Sequence, residues 1–207
     1  MALIYNISLK AYSLAIWEIS ESTEELSKKL DSPSILQNIL NEVKTEKRLK
    51  ERITAHILLR DLLGENKEIK HDTNNAPYIE NSNLHISISH TNSMVAVAIS
   101  NKPIGIDIED RKRKQLQLYH KFTTKQEKEW IDNCKTIEEK QLTAEVIWSA
   151  KEAIYKLANI KGLLFESEIE IIPFSPKSEN NFKASYLNTE TSNHLFLMDN
   201  ALLVVSF

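Results

Sequence analysis

The sequence predicts an α+β fold of two pseudo-symmetric halves, each a small, mostly antiparallel sheet packed with helices. Two observations carry that expectation. Periodic segments run as strands, helices and strands, then as a strand, helices and strands again, so helices cluster instead of alternating with single strands. A polar break near Asn101 separates the two series and sets expected boundaries at 1–101 and 102–207. No residue-level repeat accompanies this symmetry, which is one of element order alone. With 207 residues, 42% apolar and 27% charged, the chain has enough material to bury a sizeable core.

Residues 2–7 and 13–19 are rich in β-branched and aromatic side chains, and the polar segment around Lys10 joins them as a hairpin. Ser22 followed by Glu25 has capping-box spacing, and Ser32 before Pro33 marks a second helix start. Ile53, Ile57, Leu58 and Leu62 form one face of a third helix, which Gly64 ends. That helix also carries Lys47, Arg48, Lys50 and Arg52, a run that suits a solvated face as well as a binding surface.

Residues 71–77 read as a turn, 84–90 alternate apolar with polar at period two, and 94–99 complete a hairpin. The next strand spans 103–109. Residues 125–134 and 137–160 are helical in pattern, and 166–207 alternates short β-prone runs with polar turns.

Composition excludes several classes. Gly64, Gly105 and Gly162 are the only glycines, so no glycine-rich phosphate loop, dinucleotide fingerprint or glycine-flanked nucleophile elbow is present. Cys134 stands alone, which excludes intramolecular disulfides and cysteine-clustered zinc and suits a reducing cytoplasm. A net charge of -3 gives no reason to expect nucleic acid as a partner. No run of apolar residues is long enough for a membrane helix, and residues 1–15 lack the pattern of a signal peptide, so a cytoplasmic protein is expected.

Two motifs carry chemistry. Asp107 and Glu109 lie two apart on an expected strand, so both carboxylates share one face. They suit either a strand end entering the charged loop Asp110-Arg-Lys-Arg-Lys114 or a divalent metal held by hard oxygen ligands. Glu152 and Lys156, four apart on a helix, would make a surface ion pair, but Trp148 on the same stripe argues for partial burial.

Together, Gly105-Ile-Asp107-Ile-Glu109 and Trp148-Ser-Ala-Lys151-Glu152-Ala-Ile-Tyr-Lys156 resemble the paired signature of the 4′-phosphopantetheinyl transferase superfamily. The second motif matches the W-S-x-K-E-[AS]-x-x-K form at every fixed position. Ile88-Ser-His90 resembles the family's S-H segment, and the order from Pro77 to Gly162 is similar to the long, surfactin-synthetase-activating type.

The resemblance implies transfer of the phosphopantetheine arm of coenzyme A to a serine of an apo acyl or peptidyl carrier protein, releasing adenosine 3′,5′-bisphosphate. It implies Asp107, Glu109 and Glu152 as ligands of magnesium, and Glu152 and Lys156 as catalytic groups. His90, Ser89, Arg48 and Lys151 are implied as contacts of coenzyme A, with 1–101 the coenzyme A-binding side and 102–207 the catalytic side. The site would lie at the junction of the halves. Because short members must pair identical chains to make that junction, a chain containing both halves is expected to be a pseudo-dimeric monomer.

Asn75-Ala76-Pro77 stands where the family commonly has Gly-Lys-Pro, so another basic residue must replace that lysine. The substitution motivates a rival, a degenerate homologue that binds coenzyme A or a carrier without transfer. A metal-dependent phosphodiesterase would use the same acids. The run Arg111-Lys-Arg-Lys114 is an expected electrostatic contact for an acidic carrier protein.

Overall fold

The computed structural model describes residues 3–111 and 115–207 and divides the chain into two compact units at Lys102 and Pro103.

The first unit opens with β1 (Leu3–Ser8) and β2 (Ser13–Glu18), continues through α1 (Thr23–Leu30), α2 (Pro33–Glu42) and α3 (Glu46–Leu63), and returns through β3 (Ile69–His71), β4 (Pro77–Ile79), β5 (His85–His90) and β6 (Met94–Ser100). Its antiparallel sheet has the order β1-β2-β6-β5-β4-β3. The apolar Met94-Val-Ala-Val-Ala-Ile99 run makes β6 a central strand, buried along its whole length, with β2 and β5 as neighbours. Chain punctuation follows from local chemistry. Ser22 and Glu25 exchange the two bonds of a capping box at the start of α1, and Thr45 caps α3 by accepting from the Arg48 amide. Gly64 ends α3 at φ 77, a left-handed conformation that costs glycine little.

The middle of α3 is buried on nearly every side, with Ile53, Ile57, Leu58 and Leu59 in the core. His56 is buried there too. Its Nδ1 donates to the Arg52 carbonyl at 2.9 Å and its Nε2 accepts from the Ile69 amide at 3.4 Å, tying α3 to β3. Burial lowers its pKa, so the ring stays neutral. The short hairpin of β3 and β4 falls where the sequence suggested only a turn, since three-residue strands are too short to establish a period.

The second unit contains β7 (Gly105–Asp110), α4 (Gln115–Leu118), a 3-10 turn (Tyr119–Lys121), α5 (Lys125–Asp132), α6 (Ile137–Ala158), α7 (Phe165–Glu168), β8 (Ile169–Ile171), β9 (Asn181–Tyr186), β10 (Thr189–Leu197) and β11 (Ala201–Ser206). Its antiparallel sheet has the order β7-β11-β10-β9-β8, so the first strand of the unit pairs with the last. Thr136 and Glu139 form a capping box at the start of α6, and Asn159 ends it in a left-handed conformation at φ 49, two residues short of the expected limit.

The α6 helix lies against β7 at close range. A Cβ built on Gly105 would stand 1.9 Å from the Ala153 carbonyl oxygen and 2.6 Å from the Leu157 nitrogen, so only glycine permits this approach. The period of two then turns Asp107 and Glu109 toward the same face as Gly105. Both units are therefore α+β, with antiparallel sheets of six and five strands.

Candidate active site

In the second unit, β7 and α6 are joined by a series of polar contacts. Ser149 Oγ donates to the Asp107 carbonyl at 3.1 Å, and Trp148 Nε1 donates to Glu109 Oε1 at 2.8 Å. Lys156 Nζ donates to Asp107 Oδ1 and to the Ile106 carbonyl, both at 2.9 Å. Asp107 and Glu109 are 5% and 7% exposed, so these carboxylates are largely withdrawn from water. The expected partnership of Lys156 with Glu152 is replaced by an ion pair with Asp107.

Glu152 lies between Trp148 and Lys156 on α6. Its burial, together with the charge on Asp107, pushes its carboxyl above the usual carboxylate range, and Lys156 only partly opposes this. Glu152 and Glu109 also line a cavity of about 650 Å³ within the unit, walled by Phe122, Trp148, Phe165 and Leu163. Phe122 and Phe165 pack on the Trp148 ring at centroid distances of 5.1 and 5.7 Å, which helps hold the indole where its N–H reaches Glu109.

Asp107, Glu109 and Glu152 are hard oxygen donors, so their chemistry fits magnesium. Lys156 holds Asp107, Trp148 holds Glu109, and among the described residues no group of three acidic, histidine or cysteine side chains is arranged to hold a metal ion.

Lys151 corrects another expectation. It is 0% exposed, and its ammonium meets Glu127 Oε2 at 2.7 Å and the carbonyls of Phe165 and Ile169 at 2.5 and 2.7 Å. Three acceptors consume its three donors, so it presents none to coenzyme A. Burial lowers its pKa while the Glu127 carboxylate opposes that shift. Glu127 was not singled out from sequence; its spacing after Thr124 announces the capping box that does form, but not the contact with a different helix. Its other oxygen accepts from the Ile171 amide at 2.8 Å, so the pair ties α5, α6 and the segment from α7 to β8 together.

In the first unit, Arg48 and His90 line a cavity of about 610 Å³ with Lys44, Glu51, Arg52 and His71. Arg48 Nη1 contacts His90 Nε2 and meets Glu51 Oε2 at 2.9 Å. The helix register divides the basic run: Arg48 and Arg52 face this cavity, whereas Lys47 and Lys50 line a different one. Asn75 and Pro77 line the Arg48 cavity, so the segment lacking the family's lysine stands beside Arg48, Arg52 and His71. Ser89 is buried at 6% exposure on β5, immediately before His90.

Glu51 is a feature that sequence inspection missed. It is 5% exposed in this cavity, which Glu42 also lines, and its Oε1 accepts no hydrogen bond. Only the fold distinguishes it from the exposed acids nearby, because it follows a run of alternating charges on α3.

Arg111 pairs with the buried Glu145 at 3.4 Å, and Lys112, Arg113 and Lys114, the rest of the expected carrier-docking run, lie outside the described residues. No described helix is long and apolar enough to cross a membrane. No curated protein matches the chain. Both chemical motifs fall in residues 103–205, and it is this segment, from the residues before β7 through nearly all of β11, that matches the family model of the 4′-phosphopantetheinyl transferase superfamily.

Proposed function

We propose that the protein is a magnesium-dependent phosphopantetheinyl transferase of the long type, acting on coenzyme A and an apo acyl or peptidyl carrier protein. The observation that supports this most directly is the set of Asp107, Glu109, Glu152 and Lys156 on the facing elements β7 and α6, inside the segment similar to that superfamily.

In the proposed reaction the carrier serine oxygen attacks the pantetheine-side phosphorus of coenzyme A. A new P–O bond forms, the bridging P–O bond of the diphosphate breaks, and adenosine 3′,5′-bisphosphate leaves with the electron pair. Glu152 is proposed to receive the serine proton, since it is the carboxylate of α6 that stands beside Asp107 and Lys156. Lys156, already next to Asp107, would place positive charge beside the departing phosphate. Magnesium, when held by Asp107, Glu109 and Glu152, would neutralise diphosphate charge.

In the first unit, Arg48 and His90 are proposed to bind the 3′-phosphate of coenzyme A, with Arg52 supplying the charge of the missing lysine. Ser89, immediately before His90, is proposed as a further contact of coenzyme A. Lys151 is assigned a positioning role instead of a ligand contact, because its three partners are internal. With two units in one chain, a cytoplasmic monomer is the expected working form.

Mass measurement on a panel of apo carrier proteins, incubated with the protein, coenzyme A and magnesium, tests this directly. A gain of one phosphopantetheine group on a carrier serine is expected. Coenzyme A binding without any gain across the panel would favour the degenerate homologue, and hydrolysis of the diphosphate with unmodified carrier would favour the phosphodiesterase.

A further inference from the structure

One buried acid of the first unit has no part in the proposed binding or chemistry. Glu51 stands one turn after Arg48 on α3, and its side chain is 6% exposed where that of Arg48 is 60%. A carboxylate withdrawn from water is costly unless both of its oxygens are hydrogen-bonded, and Oε1 of Glu51 accepts no bond. Stability alone therefore gives little reason for an acid at this position.

The other oxygen supplies a reason. Glu51 Oε2 accepts from Arg48 Nη1 at 2.9 Å and lies 3.7 Å from His90 Nε2. Arg48 Nη1 also contacts His90 Nε2, and because a guanidinium only donates, the imidazole nitrogen is the acceptor. The two N–H groups of Nη1 are thus divided between Glu51 and His90, and the guanidinium has three more to offer a ligand. An exposed arginine ordinarily samples many rotamers, and a ligand that needs one of them loses affinity by freezing it. Here a buried acid on a long helix holds the guanidinium from the protein side.

Resting on the proposed transferase function, we infer that Glu51 is a positioning residue for the 3′-phosphate of coenzyme A, fixing the Arg48 guanidinium beside His90 before the ligand arrives. It touches neither the ligand nor the atoms that react.

The negative charge of Glu51 opposes an anion, so the inference is tested with two variants that both lack it. Glu51→Gln keeps an oxygen that Arg48 can reach, whereas Glu51→Met has similar length and offers none; Glu51→Leu replaces the latter if a circular dichroism melt shows that it does not fold. Calorimetry on the full chain with magnesium compares coenzyme A with 3′-dephospho-coenzyme A. The wild type should prefer coenzyme A, and the preference should be roughly 3- to 10-fold smaller in Glu51→Met than in Glu51→Gln, on the scale of freezing one long side chain. In an Arg48→Gln background that gap should close, since the acid acts through the arginine. Equal preferences in Glu51→Gln and Glu51→Met, or a gap that persists without Arg48, overturn the inference. So does a purely structural outcome, in which both variants melt lower and keep the wild-type preference, and so does equal binding of the two ligands by the wild type. Any of these alongside normal carrier modification by the wild type leaves the transferase reading intact, whereas failure of the wild type to bind coenzyme A removes both.

Discussion

The two units build charged sites of opposite character from similar parts. In the first, α3 contributes Arg48 and Arg52 to a cavity that also holds Lys44, His71 and His90, with Glu42 and the buried Glu51 as its acids. In the second, α6 faces β7 and gathers Asp107, Glu109 and Glu152, with Lys156 as the cation among acids. A long helix against an antiparallel sheet supplies rigidity in both, and the charges presented decide what each attracts: anions to the first, a cation or a proton to the second. Within α6 a second contrast appears. Lys151 is closed off by three acceptors, whereas Lys156 keeps 29% of its side chain exposed beside Asp107.

Glu152→Gln probes the acidic site most severely. If Glu152 takes the serine proton, carrier modification should fall by roughly two to four orders of magnitude. Stability should move the other way. The folded pKa of Glu152 lies above its free value, so the stabilising contribution belongs to the protonated form and is lost as pH rises through the folded pKa. The amide stays neutral throughout, so without magnesium the variant should melt higher than the wild type near neutral pH, with the difference shrinking in acid. A lower melting point at neutral pH would mean that the acid is not electrostatically strained.

The two lysines of α6 should separate cleanly. Lys151→Met strands Glu127 and two carbonyls in the core, and chemical denaturation should report a loss of about 3–5 kcal/mol. Lys156→Ala should lower kcat by roughly two to three orders of magnitude, a loss of one electrostatic stabiliser, while coenzyme A still binds. Lys156→Arg should rescue only in part, because a planar guanidinium does not fit the compact ammonium position between Asp107 and the Ile106 carbonyl. Equal effects of Lys151→Met and Lys156→Ala on stability, with kcat intact in both, would erase the contrast.

The smallest expected effect belongs to the first unit. Arg48→Gln removes a partly exposed ion pair with Glu51, so folding should change by no more than about 1 kcal/mol. Calorimetry should nonetheless show coenzyme A weakened roughly tenfold and 3′-dephospho-coenzyme A little affected. Equal weakening of the two ligands would remove the 3′-phosphate from this cavity.

Local rules made much of the fold legible. Ser22 with Glu25 and Gly64 delimit helices as expected, and the strand expected at 94–99 forms as β6. The pairing of Asp107 with Glu109 on one face follows from the strand period. Other features depended on distant contacts. The β3–β4 hairpin is too short for a period, and Lys151 gives no local sign that Glu127 on α5 closes it off.

The sequence by itself therefore determined the α+β element order and the residue types that suit phosphate chemistry. These depend on backbone sterics, side-chain period and functional-group identity, all of which are local properties. Only the tertiary structure decided that Lys156 pairs with Asp107, that Lys151 is internal, and that Glu51 and Gln115 keep buried oxygens without hydrogen-bond donors. Those outcomes depend on which groups packing removes from water and what it sets beside them, and electrostatic and hydrogen-bond energies are governed by that local exclusion of solvent.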